Sequence, residues 1–249
     1  MKNSLKRTPS DVLEGTIHKT TNNGNIIIIE YLNTNNVAVK FVGYAHKVTT
    51  TANCIRIGKV KNFMLPVVCT VGFTGLGNYS KLKDKKAYQT WNGMLERCYS
   101  KKSLIKNPTY NECSVCIDWH NFQTFAKWFY ECSGYIDGMH LDKDIILQGN
   151  KVYSPSMCVF VSQEVNTLLV DRKAKRGSCM LGVSKINNRY MAQCNTGKGK
   201  QKNLGTFTTE NAAHKAYKDC KYMIIRKIAE QQSNVLIKNS LLSWVIPEY

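Results

Sequence analysis

The chain has 249 residues, of which 43% are hydrophobic, and its 35 Lys and Arg residues outnumber its 17 Asp and Glu residues to give a formal net charge of +18. This length and composition predict a globular protein with two or three small domains, and they exclude an intrinsically disordered chain. The positive excess predicts attraction to a polyanion, with nucleic acid ahead of an anionic membrane. A solubilising basic surface is the alternative, because charge alone does not choose between them.

The sequence predicts neither a membrane span nor a secretory leader. It contains no run of about 18 apolar residues, which is what a spanning helix needs. The first ten residues, MKNSLKRTPS, lack the apolar core of a signal peptide. We therefore expect a cytoplasmic protein whose ten cysteines are thiols rather than disulfides.

Residues 12–79 alternate between short β-branched segments and turn residues, a pattern typical of strands. The candidate strands are GTIHKT, NIIIIEYL, NVAVKFVGY and CIRIGKV. Turn signals separate them at residues 22–24 and 33–36, and a glycine-rich stretch follows. We expect a first domain at residues 1–79 that forms a small β-barrel or curled sheet.

Residues 80–170 change to a helical pattern, in which large apolar side chains recur every three or four residues. One stripe comprises Tyr88, Trp91, Met94, Leu95 and Cys98, and a second comprises Trp119, Phe122, Phe125, Trp128 and Phe129. Since such stripes usually build a core, we expect two buried helices in a second domain. Two extended segments, LDKDIIL and YSPSMCVFV, follow them, and Ser162 is the predicted N-cap of the next helix.

Residues 171–249 begin with a basic linker, DRKAKRG, and continue with three short extended segments, MLGVSKI, RYMAQCN and KNLGTF. A hairpin turn is predicted at Asn187-Asn188. A helix is predicted from about Thr209, its N-cap, to about Ala229. The sequence thus predicts an α+β, multidomain chain whose third domain is a three-stranded antiparallel sheet on one helix, with an apolar tail.

Positive charge is concentrated in this last segment, since residues 171–227 contain fourteen Lys or Arg and three Asp or Glu. A sheet with a helix on one face leaves its other face open. Arginine and glutamine there would recognise base edges in a major groove, and lysines in the turn would contact phosphates. We therefore predict binding of double-stranded DNA. The predicted DNA-binding residues are Lys185, Arg189, Gln193, Lys198, Lys200, Lys202 and Arg176, and the open face is expected to carry Lys185, Arg189, Met191 or Gln193, and Lys202.

The same segment resembles the DNA-binding domain of the plant ethylene-response-factor (APETALA-type) family. The matching positions, in order, are Gly182, Val183, Tyr190, Ala192, Leu204, Gly205, Phe207, Ala212, Ala213, Ala216 and Tyr217. The resemblance implies that the sheet lies in the major groove. The tryptophans that this family carries on its sheet are absent, so the resemblance implies no base preference.

The middle segment resembles a set of phage HNH-type proteins, which often pair this domain with an APETALA-type module, as in homing endonucleases. The resemblance is carried by YQTWNGMLERCY, VCIDWHNFQTFAKW and LDKDIILQGNKVYSPSMCVFVSQEVN. In that family a histidine is the general base, and Asp, His or Asn side chains hold one divalent metal. The resemblance implies a catalytic site at Asp142, Lys143, Asp144, Asn150 and Asn166, with Asp142 as ligand of one Mg²⁺ or Mn²⁺ ion.

The implied site departs from the family at its base, because Lys143 stands where the family has histidine. A lysine is protonated near neutral pH unless burial strongly disfavours its charge. His140 is a poor substitute, since an offset of three residues along a strand would place it on the face opposite Lys143. Either the domain cleaves with an altered base, such as a metal-bound water held by Asp142 and Asp144, or it only binds DNA.

The cysteine spacing suggests a second metal hypothesis. Cys113 and Cys116 form one CxxC pair, which Cys98 and either Cys132 or Cys158 would complete as a zinc site. The sequence has no second pair at zinc-ribbon spacing, so zinc is not expected and buried thiols are favoured.

Three functions stay open at this point. The first is a nicking or homing endonuclease, and the second is a non-catalytic DNA-binding regulator of phage or host transcription. The third is an RNA-binding or ribosome-associated protein, which exposed aromatic residues on an open sheet would favour.

Overall fold

The computed structural model describes residues 8–169, 178–197, 199 and 201–247. The chain has a mixed α+β fold with several small sheets. It divides into two compact units. The first contains the chain up to Val67 together with Phe73–Leu76, and the second contains Val68–Gly72 and the chain from Gly77 onwards.

The first unit is an antiparallel meander with its core on one face. Its elements are a 3-10 turn (Ser10–Val12), β1 (Ile17–Lys19), β2 (Asn25–Asn33), β3 (Asn36–Phe41), β4 (Lys47–Thr50) and the short helix α1 (Ala52–Arg56). The strands pair in chain order. Buried and partly exposed residues alternate along β3, so that Val37, Val39 and Phe41 enter the core.

Two predictions for this unit are wrong. Of the two forms predicted, a small barrel or a curled sheet, the barrel is wrong: the four-stranded sheet is open, because β1 and β4 are its two edges within the described residues. The strand predicted for CIRIGKV is instead α1 and the turn after it, because the Thr51 hydroxyl accepts a hydrogen bond from Cys54 N at 3.1 Å and caps a helix.

The second unit begins with short helices and strands around an aromatic core. Its elements are α2 (Lys85–Tyr99), α3 (Lys101–Lys106), β5 (Ser114–Val115), α4 (Phe122–Glu131), β6 (His140–Asp142), β7 (Val152–Tyr153), β8 (Val159–Val161) and α5 (Gln163–Leu168). Two 3-10 turns, Pro108–Tyr110 and Ile117–His120, lie between α3 and α4. Strand β5 pairs in parallel with β7, and β6 pairs antiparallel with β8.

The two predicted helical stripes are confirmed as core. Trp91 of α2 and Phe125 of α4 are fully buried, and the Trp91 Nε1 donates to the Trp119 carbonyl at 2.7 Å. Ser162 caps α5 as predicted, since its hydroxyl accepts from Val165 N.

The chain ends with a sheet and two helices. These elements are β9 (Val183–Ile186), β10 (Arg189–Asn195), β11 (Gln201–Phe207), α6 (Glu210–Glu230) and α7 (Val235–Leu242), with the sheet in the order β11-β10-β9. The hairpin turn predicted at Asn187-Asn188 joins β9 to β10, and Asn187 has a φ of 52° there. Thr209 caps α6 through Ala212 N at 3.2 Å, which confirms the predicted start.

Residues 80–170 and 171–249, predicted as separate domains, share one hydrophobic core. Val161 and Leu168 lie in the same buried cluster as Tyr217 of α6. The apolar tail joins this cluster through Ile246, and Gln148 exchanges two hydrogen bonds with the backbone of Val245. In the part of the chain that the structure describes, no helix has both the length and the apolar character needed to cross a membrane.

Candidate nucleic-acid interface and polar cleft

The C-terminal sheet has one face on α6 and one face open. Ala192 of β10 and Val183 of β9 are paired and are buried with Ala213 of α6, which identifies the helix-facing side. Because side chains alternate along a strand, Met191 and Gln193 point the other way. Cross-strand partners share a face, so the register defines an open sheet face that comprises Ser184, Ile186, Arg189, Met191, Gln193, Asn203 and Thr206.

The structure divides the predicted DNA-binding residues between the two faces. Arg189 and Gln193 lie on the open sheet face, as expected. Lys185 pairs with Tyr190, and Lys202 pairs with Cys194. Both lysines are therefore on the helix-facing side, at exposed positions. The prediction that they share the open sheet face is wrong.

The register of β11 explains the misplaced Lys202. The pairing shifts between Ala192 and Gln193, so Leu204 is an extra residue between Gly205 and Asn203. A bulge of this kind reverses the alternation for every residue beyond it. Without the bulge, Lys202 would have pointed to the open sheet face.

Three other predicted DNA-binding residues, Arg176, Lys198 and Lys200, lie outside the described residues.

The polar ends of Arg189 and Gln193 on the open sheet face make only long or weak contacts with the rest of the protein. An Arg189 guanidinium nitrogen donates to the Thr206 carbonyl at 3.3 Å, and Gln193 Nε2 lies 3.7 Å from the sulfur of Met191. These contacts are long or weak, so both polar groups keep hydrogen-bonding capacity for a ligand.

A second candidate site is a polar cleft of about 390 Å³ between α2 and β6. On its α2 side, the cleft is lined by Lys86, Gln89, Thr90, Gly93 and Arg97. The facing wall and the ends include Tyr110, His140, Asp142, Lys143, Asp144, Tyr153 and Asn166. The α2 residues form one helical stripe opposite the buried aromatic stripe, as their spacing requires.

Asp142 lies in the wall of this cleft as part of a tight turn. Its Oδ1 accepts hydrogen bonds from Asp144 N and Ile145 N, both at 2.8 Å. Burial raises the pKa of the Asp142 carboxyl above its ordinary value, and the two backbone N–H groups oppose that rise. One carboxylate oxygen is therefore committed to the backbone.

Lys143 and Asn150 hold the loop between β6 and β7. Lys143 is 6% exposed, and its Nζ donates to Asp144 at 2.6 Å and to the Asn150 carbonyl at 2.7 Å. The Asn150 side chain donates in turn to the carbonyls of Lys143 and Val152, both at 2.8 Å. These contacts give Lys143 and Asn150 a structural explanation, since the Nζ of Lys143 and the side-chain amide of Asn150 each donate two hydrogen bonds within this loop.

His140 lies closer to the predicted site than the strand argument allowed. Strand β6 ends at Asp142, so the alternation does not extend to Lys143. His140 and Asp142 are two residues apart on the strand, share a face, and both line the polar cleft. The cleft also brings Asp144 and Asn166 to this wall, whereas Asn150 is not among its lining residues.

Within the described residues, no three His, Cys, Asp or Glu side chains are placed to hold a metal ion together. Asp142, the predicted ligand, is thus not part of a group of three such side chains among these residues. Of the cysteines considered for zinc, Cys98, Cys113 and Cys158 are buried thiols and Cys132 is exposed. Burial raises the pKa of Cys98 to about 11 and that of Cys158 to about 12, which keeps both protonated.

Arg97 is the cleft residue that the sequence reasoning missed. The signal was present as the polar stripe of α2, in which Lys86, Thr90, Gly93 and Arg97 recur every three or four residues. The sequence prediction for this helix was based on its apolar side alone, which predicted a buried core.

Comparison of the chain with known protein families, with curated proteins and with solved structures found no match.

Proposed function

We propose that this protein binds double-stranded DNA through the open sheet face and its basic margins. The observation that carries the proposal is the open face of a helix-backed sheet, with the exposed Arg189 and the half-buried Gln193 on one strand. It belongs to the segment in which Lys and Arg most outnumber Asp and Glu. The resemblance to APETALA-type domains supports the same proposal.

The dimensions of the sheet suit a DNA groove. Neighbouring strands lie about 4.8 Å apart, so three strands span about 10 Å between the outer two. The major groove of B-DNA is about 12 Å wide and admits elements of this size. Arg189 would donate to guanine, and Gln193 would pair with adenine, the base edges that these side chains match.

The observed positions of Lys185 and Lys202 suggest a different role for them than base recognition on the open sheet face. Lys185 and Lys202 point away from the open sheet face, so they would contact phosphates at the margins rather than bases. Loss of one phosphate contact weakens binding to all sequences alike and lowers the salt slope by about 1. Loss of a bidentate base contact instead costs about 1–3 kcal/mol of discrimination.

The test measures binding of the full chain to labelled duplexes by fluorescence anisotropy, at several salt concentrations. The double variant Arg189→Ala/Gln193→Ala should bind more weakly and lose sequence preference. Lys215→Ala is the matched control, because Lys215 is an exposed cation of α6 paired with Asp219. It should change the affinity little.

Two outcomes would overturn the proposal. If the double variant bound duplex DNA with wild-type affinity, the open sheet face would not be the DNA-binding surface. A complete lack of duplex binding at moderate salt would refute DNA binding altogether, and preference for RNA over DNA would favour the RNA-binding alternative.

Metal-dependent cleavage stays a prediction, which the same mixtures test once Mg²⁺ or Mn²⁺ is added. Strand breaks that Asp142→Asn abolishes would establish the endonuclease. Retention of duplex without breaks would favour the non-catalytic regulator of phage or host transcription.

A further inference from the structure

Arg97 is a partly buried cation without an anionic partner. Its Nε is buried and has no hydrogen-bond partner within the described residues. Its guanidinium carbon lies 5.5 Å from the centre of the Tyr153 ring, so its close neighbour is an aromatic ring rather than a carboxylate. A desolvated charge of this kind is costly unless an anion compensates it.

The carboxylates of the polar cleft are committed elsewhere. Asp144 pairs with Lys143 at 2.6 Å. One carboxylate oxygen of Asp142 accepts hydrogen bonds from two backbone N–H groups. Among the described residues, no Asp or Glu forms an ion pair with Arg97. The two carboxylates of this cleft therefore have other partners, and neither forms an ion pair with Arg97.

We propose that the polar cleft binds a phosphate group, with Arg97 as its principal ligand. A guanidinium presents a planar fork of N–H donors that matches phosphate oxygens. Lys86 and His140 line the same cleft, and Lys86 also pairs with the exposed Asp137 at 3.6 Å. Asp142 and Asp144 are the acidic groups that such a ligand would face.

The shape of the cleft favours an extended phosphate ligand. Lys86 and Arg97 are eleven residues apart on α2, about 16 Å along the helix axis. At this separation of the two Cα atoms, a single phosphate group is too small to contact both side chains close to the helix. A strand that carries several phosphates can contact both. Gly93 lies between them, and a Cβ there would meet nothing within 4 Å, so the floor is open.

This inference goes beyond duplex binding by the open sheet face, because it concerns the polar cleft, whose wall includes Asp142 of the predicted cleavage site. It holds whether or not that face binds DNA. The phosphate can come from a nucleic-acid strand or from a free or terminal phosphate, and the experiment separates these sources.

Calorimetric titration of the full chain tests the proposal with three probes: inorganic phosphate, a 5′-phosphorylated single-stranded oligonucleotide, and the same strand without the terminal phosphate. Equal binding of both strands would assign a backbone phosphodiester. Binding of only inorganic phosphate and the phosphorylated strand would assign a free or terminal phosphate. Repeating the titrations in the Arg189→Ala/Gln193→Ala background weakens the open sheet face as a competing site, so binding that persists there is assigned to the cleft.

Three variants locate the site. Arg97→Gln should weaken binding of the recognised probe by about tenfold or more, equivalent to about 1.4 kcal/mol. Gly93→Met should also weaken binding, because the methionine side chain fills the floor of the cleft. This variant removes no charge, so its effect is steric. Lys127→Gln is the control, since Lys127 is exposed on α4 and pairs with Glu131, and it should bind as wild type.

Failure of all three probes to bind would overturn the proposal, as would wild-type affinity in Arg97→Gln. Far-ultraviolet circular dichroism verifies that the variants fold. If Arg97→Gln does not fold, Gly93→Met decides the matter, and unchanged affinity in that variant refutes the site.

Discussion

The ammonium of Lys143 lies 2.6 Å from the carboxylate of Asp144 inside the loop that follows β6. It also donates to the Asn150 carbonyl, and the Tyr153 ring centre lies 5.9 Å away. Lys143, the residue at the position where the resemblance to HNH-type proteins would place a histidine, therefore stabilises this loop. We expect Lys143→Met to lower the free energy of unfolding by about 1–3 kcal/mol, because it leaves a buried acceptor unsatisfied. Urea unfolding measures this loss.

Lys151→Met is the matched control for this prediction. Lys151 is in the same loop, but its pair with Glu112 is exposed and 3.7 Å long. We expect a change within about 0.5 kcal/mol. A fully stable Lys143→Met protein would contradict the structural role, and loss of DNA cleavage in that stable variant would restore a catalytic one.

Asp142→Asn should remove a pH dependence of stability. Burial raises the pKa of the Asp142 carboxyl above 3.8, so the folded state binds more protons than the unfolded state just above that pH. Stability contributed at this site therefore falls as pH rises from 3.8 through the folded pKa. The asparagine keeps an oxygen acceptor for Asp144 N and Ile145 N and has no charge to bury. Thermal unfolding at several pH values should show a smaller decline in the variant, and an equal decline would contradict the buried-charge argument.

Lys221 links α6 to the end of α5 and to the end of β10. Its Nζ donates to the Leu168 carbonyl at 2.5 Å and to the Asn195 carbonyl at 3.2 Å. Lys221→Met leaves both acceptors without this donor, and we expect a loss of about 1–3 kcal/mol in urea unfolding. Lys218→Met is a weaker perturbation to compare, since Lys218 is on the same helix and is less buried.

The same lysine has a pH signature. Burial lowers the pKa of Lys221 below 10.5, so between the folded pKa and 10.5 the unfolded state binds more protons. Stability from this site therefore rises with pH across that window. The methionine variant should lack the rise, and a variant with an unchanged alkaline profile would show that Lys221 is not the group responsible.

Local signals in the sequence predicted local structure well. Ser162 and Thr209 cap helices where predicted, because a cap depends on residues within one turn. The open sheet in place of a barrel depends on which strands meet, a long-range property that strand patterns do not determine. Lys202 was misplaced by the single extra residue Leu204, which no alternation pattern reveals.

The candidate site was predicted in part for the same reason. Asp142, Asp144 and Asn166 do line one cleft, since they are near the β6–β8 pair and the helix that follows it. Arg97 precedes them by more than forty residues, and only packing of α2 against this segment brings it there. The polar stripe of α2 showed that a face was solvated, but it could not show what lies across from it.

Cysteine reactivity should separate structural thiols from a metal site. Burial raises the pKa of Cys98 and Cys158, so both should react slowly with a thiol reagent in folded protein, whereas the exposed Cys132 should react first. Mass spectrometry of timed labelling gives the order. A chelator should leave the melting temperature unchanged if these cysteines are packing groups. A lower melting temperature that added zinc restores would instead support the zinc hypothesis.

Gly182→Ala should be strongly destabilising, because two physical costs coincide there. Gly182 has a φ of +78°, and an added Cβ would lie 2.0 Å from the Tyr217 ring. Strain and overpacking each cost about 1–3 kcal/mol, so we expect a loss of about 3 kcal/mol or more. Gly149→Ala is the control, because its φ of +82° is similar and nothing lies within 4 Å of its Cβ position. It should lose only the strain contribution, about 1 kcal/mol. Equal losses in urea unfolding of the two variants would mean that Tyr217 yields to the methyl group, and that α6 is less tightly fixed against β9 than this contact indicates.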